Sequence, residues 1–222
     1  MGFSEDQIMA WFTQYAYQSW IIYLAIFAAM LASGFGVPIP EEFTLISAGL
    51  VCYIASRPDI YPPPAFGNSP VDPYVTAGVA FFSVVFADTL VFFLGKYFGG
   101  RILRSRFMDR YRARFEKVAE WTKKYGMWAA GGFRFTPGLR FPGHFACGMM
   151  GLSVSKFVTV DAIAAGISVP TQVLLVAFYG ETILVYFKQF KLILLALLGL
   201  GLVYWLVRTL WKRLATSKTP AA

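Results

Sequence analysis

Two long runs with almost no charge dictate most of what this chain can become. From Tyr74 up to Lys96 the one charged residue is Asp88, and from Phe157 to Tyr179 it is Asp161. Trp20 to Ala32 carries none, nor does Leu192 to Val207, which is flanked by Lys191 and Arg208. Each run is close to the roughly 20 residues a helix needs to cross the hydrocarbon of a bilayer, the first and last borrowing from their flanks. Peptide groups in lipid have no water to bond, so they must bond one another along a helix. The expectation is an all-α integral membrane protein with about four spanning helices. Its composition agrees: 57% of residues are hydrophobic and 14% charged, against about 45 to 50% apolar in soluble domains.

A net charge of +8 raises the question of nucleic acid, but the basic residues sit mostly beside spans. There they report topology and contact with anionic lipid headgroups, and no nucleic-acid partner is expected. Nine of the twenty Lys and Arg lie in residues 101–125. In the same segment Leu103, Phe107, Tyr111, Phe115, Val118, Trp121 and Tyr125 recur three and four apart, so a basic face opposes an aromatic one. This pattern predicts an amphipathic cytoplasmic helix lying on anionic lipid, with a solvated connecting helix as the alternative. Residues 1–18, with Ile8, Trp11, Phe12 and Tyr15 on one face, predict a further interfacial helix, and the acidic start MGFSED reads as retained rather than as a signal. The proline-rich segment 57–73 predicts an exposed external loop. Cys52 and Cys147 lie in apolar runs and are expected as packed free thiols.

The stretch FRFTPGLRFPGHFACGMMG, Phe133 to Gly151, is too rich in helix breakers for a simple span and too apolar for a solvated loop. The positive-inside rule puts both the basic helix and the basic tail, residues 213–222 with Arg208 and Lys212 just before it, on the cytoplasmic side. Two spanning helices in 152–212 already carry the chain out and back. If 127–151 crossed as well, the basic helix would be stranded outside. A re-entrant hairpin over 127–151, turning at Pro137 and Gly138, removes the conflict. The same reasoning predicts a second hairpin over 34–56, turning at Pro38 and Pro40 and entered from the opposite face. The result is an inverted repeat with both termini cytoplasmic.

An arginine at the centre of a spanning helix costs roughly 2.5 to 3.5 kcal/mol on insertion scales, so Arg134 and Arg140 must face water, a partner or a ligand. Glu41, Glu42 and Asp88 are the available counter-ions. The arginines flank Pro137 and Gly138, so both can aim at one anionic headgroup, and phosphate suits such a fork. The alternatives are an ion-paired staple between hairpins, a snorkelling Arg134 and a capping role for Asp88. His144 is expected as a hydrogen-bonded structural residue, Asp161 and Lys156 as interfacial, and Glu181 as a helix-end or loop residue. A carboxylate in a poorly hydrated cavity can load and unload a proton, and protonating Glu42 or Asp88 would release an arginine for an anion. No nucleophile elbow, Walker loop or metal-spaced His and Cys cluster is present, so the expectation is a non-enzyme without metal or cofactor.

GVPIPEE (36–42), FADTLVFFLGKYFGG (86–100) and FRFTPGLR (133–140) together resemble the DedA family, also called the SNARE-associated or VTT-domain family. Its most specific element, R-F-x-P-G-x-R, stands intact from Arg134 to Arg140. Glu41 replaces a usual glycine, and Glu42 falls on the family's acidic position. A further acidic residue that some members carry before the first hairpin has no counterpart in Met30 to Ser33. The resemblance implies two opposed re-entrant hairpins and residence in a bacterial inner membrane. It also implies translocation between leaflets of a phosphate-bearing lipid such as undecaprenyl or another polyprenyl phosphate, dependent on the proton-motive force. On that reading Arg134 and Arg140 bind the headgroup, and Glu42, Asp88 and Glu41 are counter-ions or proton carriers. The partners are the lipid, protons and anionic headgroups, with a homo-oligomer left open. The rival expectations are a proton-coupled carrier of small ions or drugs and a non-transporting scaffold.

Overall fold

The computed structural model describes residues 5–37, 39–64, 69–103, 112–126, 128–136 and 139–182. They form α1 (Glu5–Ala16), α2 (Ser19–Gly34), α3 (Glu41–Ala55), α4 (Pro73–Leu103), α5 (Arg112–Tyr125), α6 (Trp128–Arg134), α7 (Arg140–Met149) and α8 (Val154–Thr182). All described secondary structure is helical, as the apolar runs required. Met1–Phe178 is one compact unit and holds every site residue discussed below; Tyr179–Ala222 is a second.

Among the described residues two helices are long and apolar enough to cross a bilayer: Pro73–Gly99 within α4, 27 residues, and α8, 29 residues. The expected first span corresponds to α2, which is apolar but only 16 residues long. The expected last span, Leu192 to Val207, and the tail 213–222 lie outside the described residues. Of the basic segment 101–125, Arg101 to Leu103 belong to α4 and Arg112 to Tyr125 form α5; 104–111 lie outside the described residues, and with them the expectation of one continuous helix. Segment 34–56 is a break followed by the single helix α3, whereas 127–151 is two short helices, α6 and α7, on either side of a break at 135–139. Pro38, Pro137 and Gly138, expected at the turns, lie outside the described residues. Pro40 is extended (φ −61°, ψ 129°) and sits immediately before α3. The first break begins at Gly36, whose φ of +84° is a left-handed conformation that glycine adopts without steric cost.

The loop expected to be exposed is pinned to the helices at its end. The N–H of Val71, a buried residue, donates to the Ala16 carbonyl at 3.0 Å, and the Tyr17 hydroxyl donates to the Tyr61 carbonyl at 2.8 Å. Burial, and then the Asp59 carboxylate, raise the Tyr17 pKa above the ordinary tyrosine value. Asp72 ends the loop and caps α4, its Oδ1 accepting from the N–H groups of Tyr74 (2.8 Å) and Val75 (2.9 Å), with Pro73 as the first helical residue.

Among the described residues two larger apolar clusters, with a small one around Val91 and Phe145, form the interior. One joins Ile26 and Met30 of α2, Leu45 of α3, Ala80 and Val84 of α4 and Val169 of α8. The other joins Phe92 of α4, Ala130 and Phe133 of α6, Ala146 and Cys147 of α7 and Phe157 of α8. Beside the second cluster α4 meets α7 at backbone contact. A methyl at Gly95 would strike the Phe145 carbonyl oxygen, and one at Gly148 would strike that of Phe92. Small residues at such crossings let helices approach as closely as packing in lipid demands. This crossing lies beside the charged residues and sets their spacing.

Candidate functional site

Five helices contribute charged or ionisable side chains to one interior cluster. Asp88 projects from the middle of α4, and Glu41 from the first turn of α3. Arg134 ends α6, Arg140 begins α7, and His144 stands four residues further along the same face of α7. Asp161 projects from α8. Exposure rises across the cluster: the side chains of Asp161 and His144 are 0% exposed, Asp88 1%, Arg134 3%, Arg140 13% and Glu41 14%.

Asp88 is the common acceptor. Its Oδ2 receives Arg134 Nη1 at 3.1 Å and Nη2 at 3.4 Å, and its Oδ1 receives Arg140 Nε at 2.9 Å. Arg140 Nη1 also contacts Glu41 Oε2, and Arg134 Nη2 lies 3.9 Å from Glu41 Oε1. The two arginines of R-F-x-P-G-x-R thus converge on shared carboxylates, as a fork across a turn allows. Arg134 does not snorkel to the surface, and Asp88 accepts from guanidinium groups rather than capping a helix.

The sequence reading is corrected at two other carboxylates. Asp161, expected at an interface, is fully buried, with Oδ1 at 3.6 Å from Arg134 Nη1 and 3.9 Å from His144 Nε2. Val154 begins its helix seven residues earlier, about 10 Å away along the axis, which puts Asp161 well inside the apolar run. Being the one charge in that run, as Asp88 is in its own, was the signal that could have found it. Glu42, expected as a counter-ion, is exposed at the cavity wall, and it is the neighbouring Glu41 that reaches the arginines. On a helix, adjacent residues point about 100° apart, so only one of the two can face the cluster.

His144 makes the expected structural contact, Nε2 lying 3.4 Å from the Ala130 carbonyl oxygen. Its Nδ1 is also 3.2 Å from Asp88 Oδ1, though aimed too poorly to bond. Among the described residues, Arg134 Nε, Arg140 Nη2, His144 Nδ1 and both oxygens of Asp161 are buried without a hydrogen-bond partner. One ligating atom from each of Asp88, His144 and Asp161 lies within 4.8 Å of the others, a spacing that could admit a cation. Arg134 is a poor neighbour for a metal, since its guanidinium is already within ion-pair distance of both carboxylates.

A cavity of about 490 Å3 opens onto this cluster. Arg134, Arg140, Glu41 and Glu42 form its charged wall, Gly36, Val37, Ile39 and Pro40 come from the first break, and Thr136 from the second. Thr136 also borders a second hollow of about 290 Å3, walled by Trp121, Tyr125, Trp128 and Phe133. A largely apolar cavity with charged groups on one wall therefore shares Thr136 with an aromatic trough.

The sequence pattern of the VTT domain matches residues 39–182, which include every member of the cluster. The chain is 33% identical over 166 residues to an uncharacterized membrane protein of Haemophilus influenzae, covering 73% of this chain and 70% of that one. No solved structure matches it significantly. With a domain match across most of its length, the intact R-F-x-P-G-x-R arginines and two membrane-length helices, the chain belongs to the VTT-domain family of membrane proteins, the DedA or SNARE-associated family.

Proposed function

We propose that this protein is a carrier, not an enzyme, that moves a phosphate-bearing lipid between leaflets of a bacterial inner membrane, with a polyprenyl phosphate such as undecaprenyl phosphate as the first candidate. The observation that carries the reading is the pair of buried guanidinium groups on the cavity wall, each with one nitrogen, Arg134 Nε and Arg140 Nη2, that has no acceptor among the described residues. Charge-assisted bonds from such groups to phosphate oxygens are about twice as strong as neutral ones. In this reading the breaks at 35–40 and 135–139 are the tips of two re-entrant hairpins entered from opposite faces. Support comes from residues of both breaks lining one cavity, as the broken segments of inverted-repeat transporters do at a substrate site. The aromatic trough beside Thr136 gives the first part of an apolar tail a dry place next to the headgroup, which favours a lipid over a small ion.

Glu41 acts as the resident anion. Its contact with Arg140 occupies the place a phosphate would take, and protonation of Glu41 frees that guanidinium for the headgroup. Loss of the proton restores the internal pair and expels the ligand, which couples transport to the proton gradient. The test is transfer of labelled polyprenyl phosphate in liposomes containing wild type or Arg140→Ala. Wild type is expected to accelerate transfer, Arg140→Ala to abolish it while remaining folded. Full-rate transfer by the variant refutes the assignment of Arg140, and transfer by neither protein favours a scaffold.

A further inference from the structure

The anion cavity accounts for Arg134, Arg140 and Glu41, but not for what lies behind them. The cluster sets three carboxylates, Glu41, Asp88 and Asp161, against two guanidinium groups, one negative charge in excess. Arg140 serves Glu41 and Asp88, while Arg134 bonds Asp88. Asp161 is the carboxylate left over: its Oδ1 lies 3.6 Å from Arg134 Nη1, on a guanidinium already bonded to Asp88, and both its oxygens are buried without a hydrogen bond among the described residues. A buried carboxylate with no cation of its own and no hydrogen bonds favours its protonated form. Water could satisfy its oxygens but not its charge. A metal ion would supply charge, but at ligand distances of about 2.0 to 2.6 Å it would sit against the Arg134 guanidinium. The occupant that fits is a proton.

We propose that Asp88, His144 and Asp161 form a buried proton-binding site that holds one proton in the ligand-free protein, with His144 as the bridge between the carboxylates. Arg134 Nη1 also lies near both, 3.1 Å from Asp88 and 3.6 Å from Asp161, but a guanidinium is donor-only and already protonated; the ring is the group near both that can take up a proton, Nδ1 toward Asp88 at 3.2 Å and Nε2 toward Asp161 at 3.9 Å. The other ionisable groups around the site are Glu41 from α3, Arg134 from α6, and Arg140 and the Cys147 thiol from α7. The inference rests on the charge of the cluster and is independent of which anion the cavity takes.

The test uses the full-length protein in detergent without ligand. The folded state keeps a proton that the unfolded chain gives up, so stability falls as pH rises through the titration of the site. Wild type is expected to lose several degrees of Tm across that step. Asp161→Asn removes the excess charge and is expected to give a flat profile. His144→Gln removes the bridge and is expected to weaken proton binding about tenfold, moving the step down by about one pH unit. Infrared spectra of wild type should show a protonated carboxyl or imidazolium band disappearing at the same pH, a readout that stands even if Asp161→Asn fails to fold. Superimposable profiles for wild type and Asp161→Asn, or no such band, overturn the proposal. Stabilisation of wild type, but not of Asp161→Asn, by added Zn2+ or Mn2+ overturns it in favour of a metal site. Because no anion is present, these outcomes are separate from failure of lipid transfer.

Discussion

The crossing of α4 and α7 should be the most sensitive place in the molecule to a single methyl group. A Cβ on Gly148 would lie 2.8 Å from the carbonyl carbon of Phe92 and 2.9 Å from the amide nitrogen of Lys96, besides striking the Phe92 oxygen. All three atoms belong to the backbone of α4, so no rotamer change relieves the contact and the helices must part by about an ångström. Overpacking of this kind costs about 1 to 3 kcal/mol, which for a chain of this size lowers Tm by roughly 2 to 12 °C. The displacement also reaches the site. Asp88 stands seven residues before Gly95, and Arg140 and His144 stand eight and four before Gly148. An opening of about an ångström would stretch the 2.9 Å bond between Arg140 Nε and Asp88 Oδ1 beyond hydrogen-bonding range. Gly148→Ala is therefore expected to lower both Tm in detergent and the rate of lipid transfer in liposomes. Gly78→Ala is the control: it lies on α4, the partner helix in the crossing, with nothing within 4 Å of its Cβ, and alanine should gain about 0.5 to 1 kcal/mol there. If Gly148→Ala proves as stable as Gly78→Ala, the crossing does not set the geometry of the cluster.

Two further outcomes follow from the charges and caps. Arg134→Met leaves Asp88 and Asp161 facing a single guanidinium and should cost about 3 to 5 kcal/mol; adding Asp161→Asn should recover at least about 1 kcal/mol, and strict additivity in a double-mutant cycle of unfolding energies would separate the two residues. Asp72→Ala removes both side-chain bonds at the start of α4 and should cost about 0.5 to 2 kcal/mol, seen as a lower Tm with lipid transfer per folded molecule unchanged.

The helical class and the two long apolar helices were legible because burial in lipid leaves the backbone one solution, and charge-free runs of the right length announce it. The arginines and Asp88 were legible for a related reason: a charge in an apolar run must be answered by another group. Asp161 met the same criterion and was read as interfacial because its distance from the helix start depends on where α8 begins, a boundary set by the turn at Gly151 (φ +70°) and Leu152 rather than by the apolar pattern. The choice between Glu41 and Glu42 was not legible, since neighbouring acidic residues differ only in the rotation of α3, which its packing through Leu45 and Ala48 fixes.

The order of exposure across the cluster gives it a direction. Asp161, His144 and Asp88 are dry and hold the arginines from behind, while Glu41 and Arg140 are the more exposed members at the cavity. An anion arriving from the cavity meets the Glu41 pair first, and it can replace that carboxylate on Arg140 without breaking the bonds from Asp88 to either arginine. Exchange at the front is then an exchange of one anion for another at nearly constant local charge, which avoids the several kcal/mol that exposing or burying an unpaired ion would demand. The interior carboxylates keep both guanidinium groups charged and aimed while the front changes partner, because Asp88 bonds each of them through an oxygen that the cavity does not reach. The two halves of the cluster therefore divide the work. On the proposed function, groups facing the cavity would exchange the ligand, and groups behind them would fix the geometry and absorb the leftover charge.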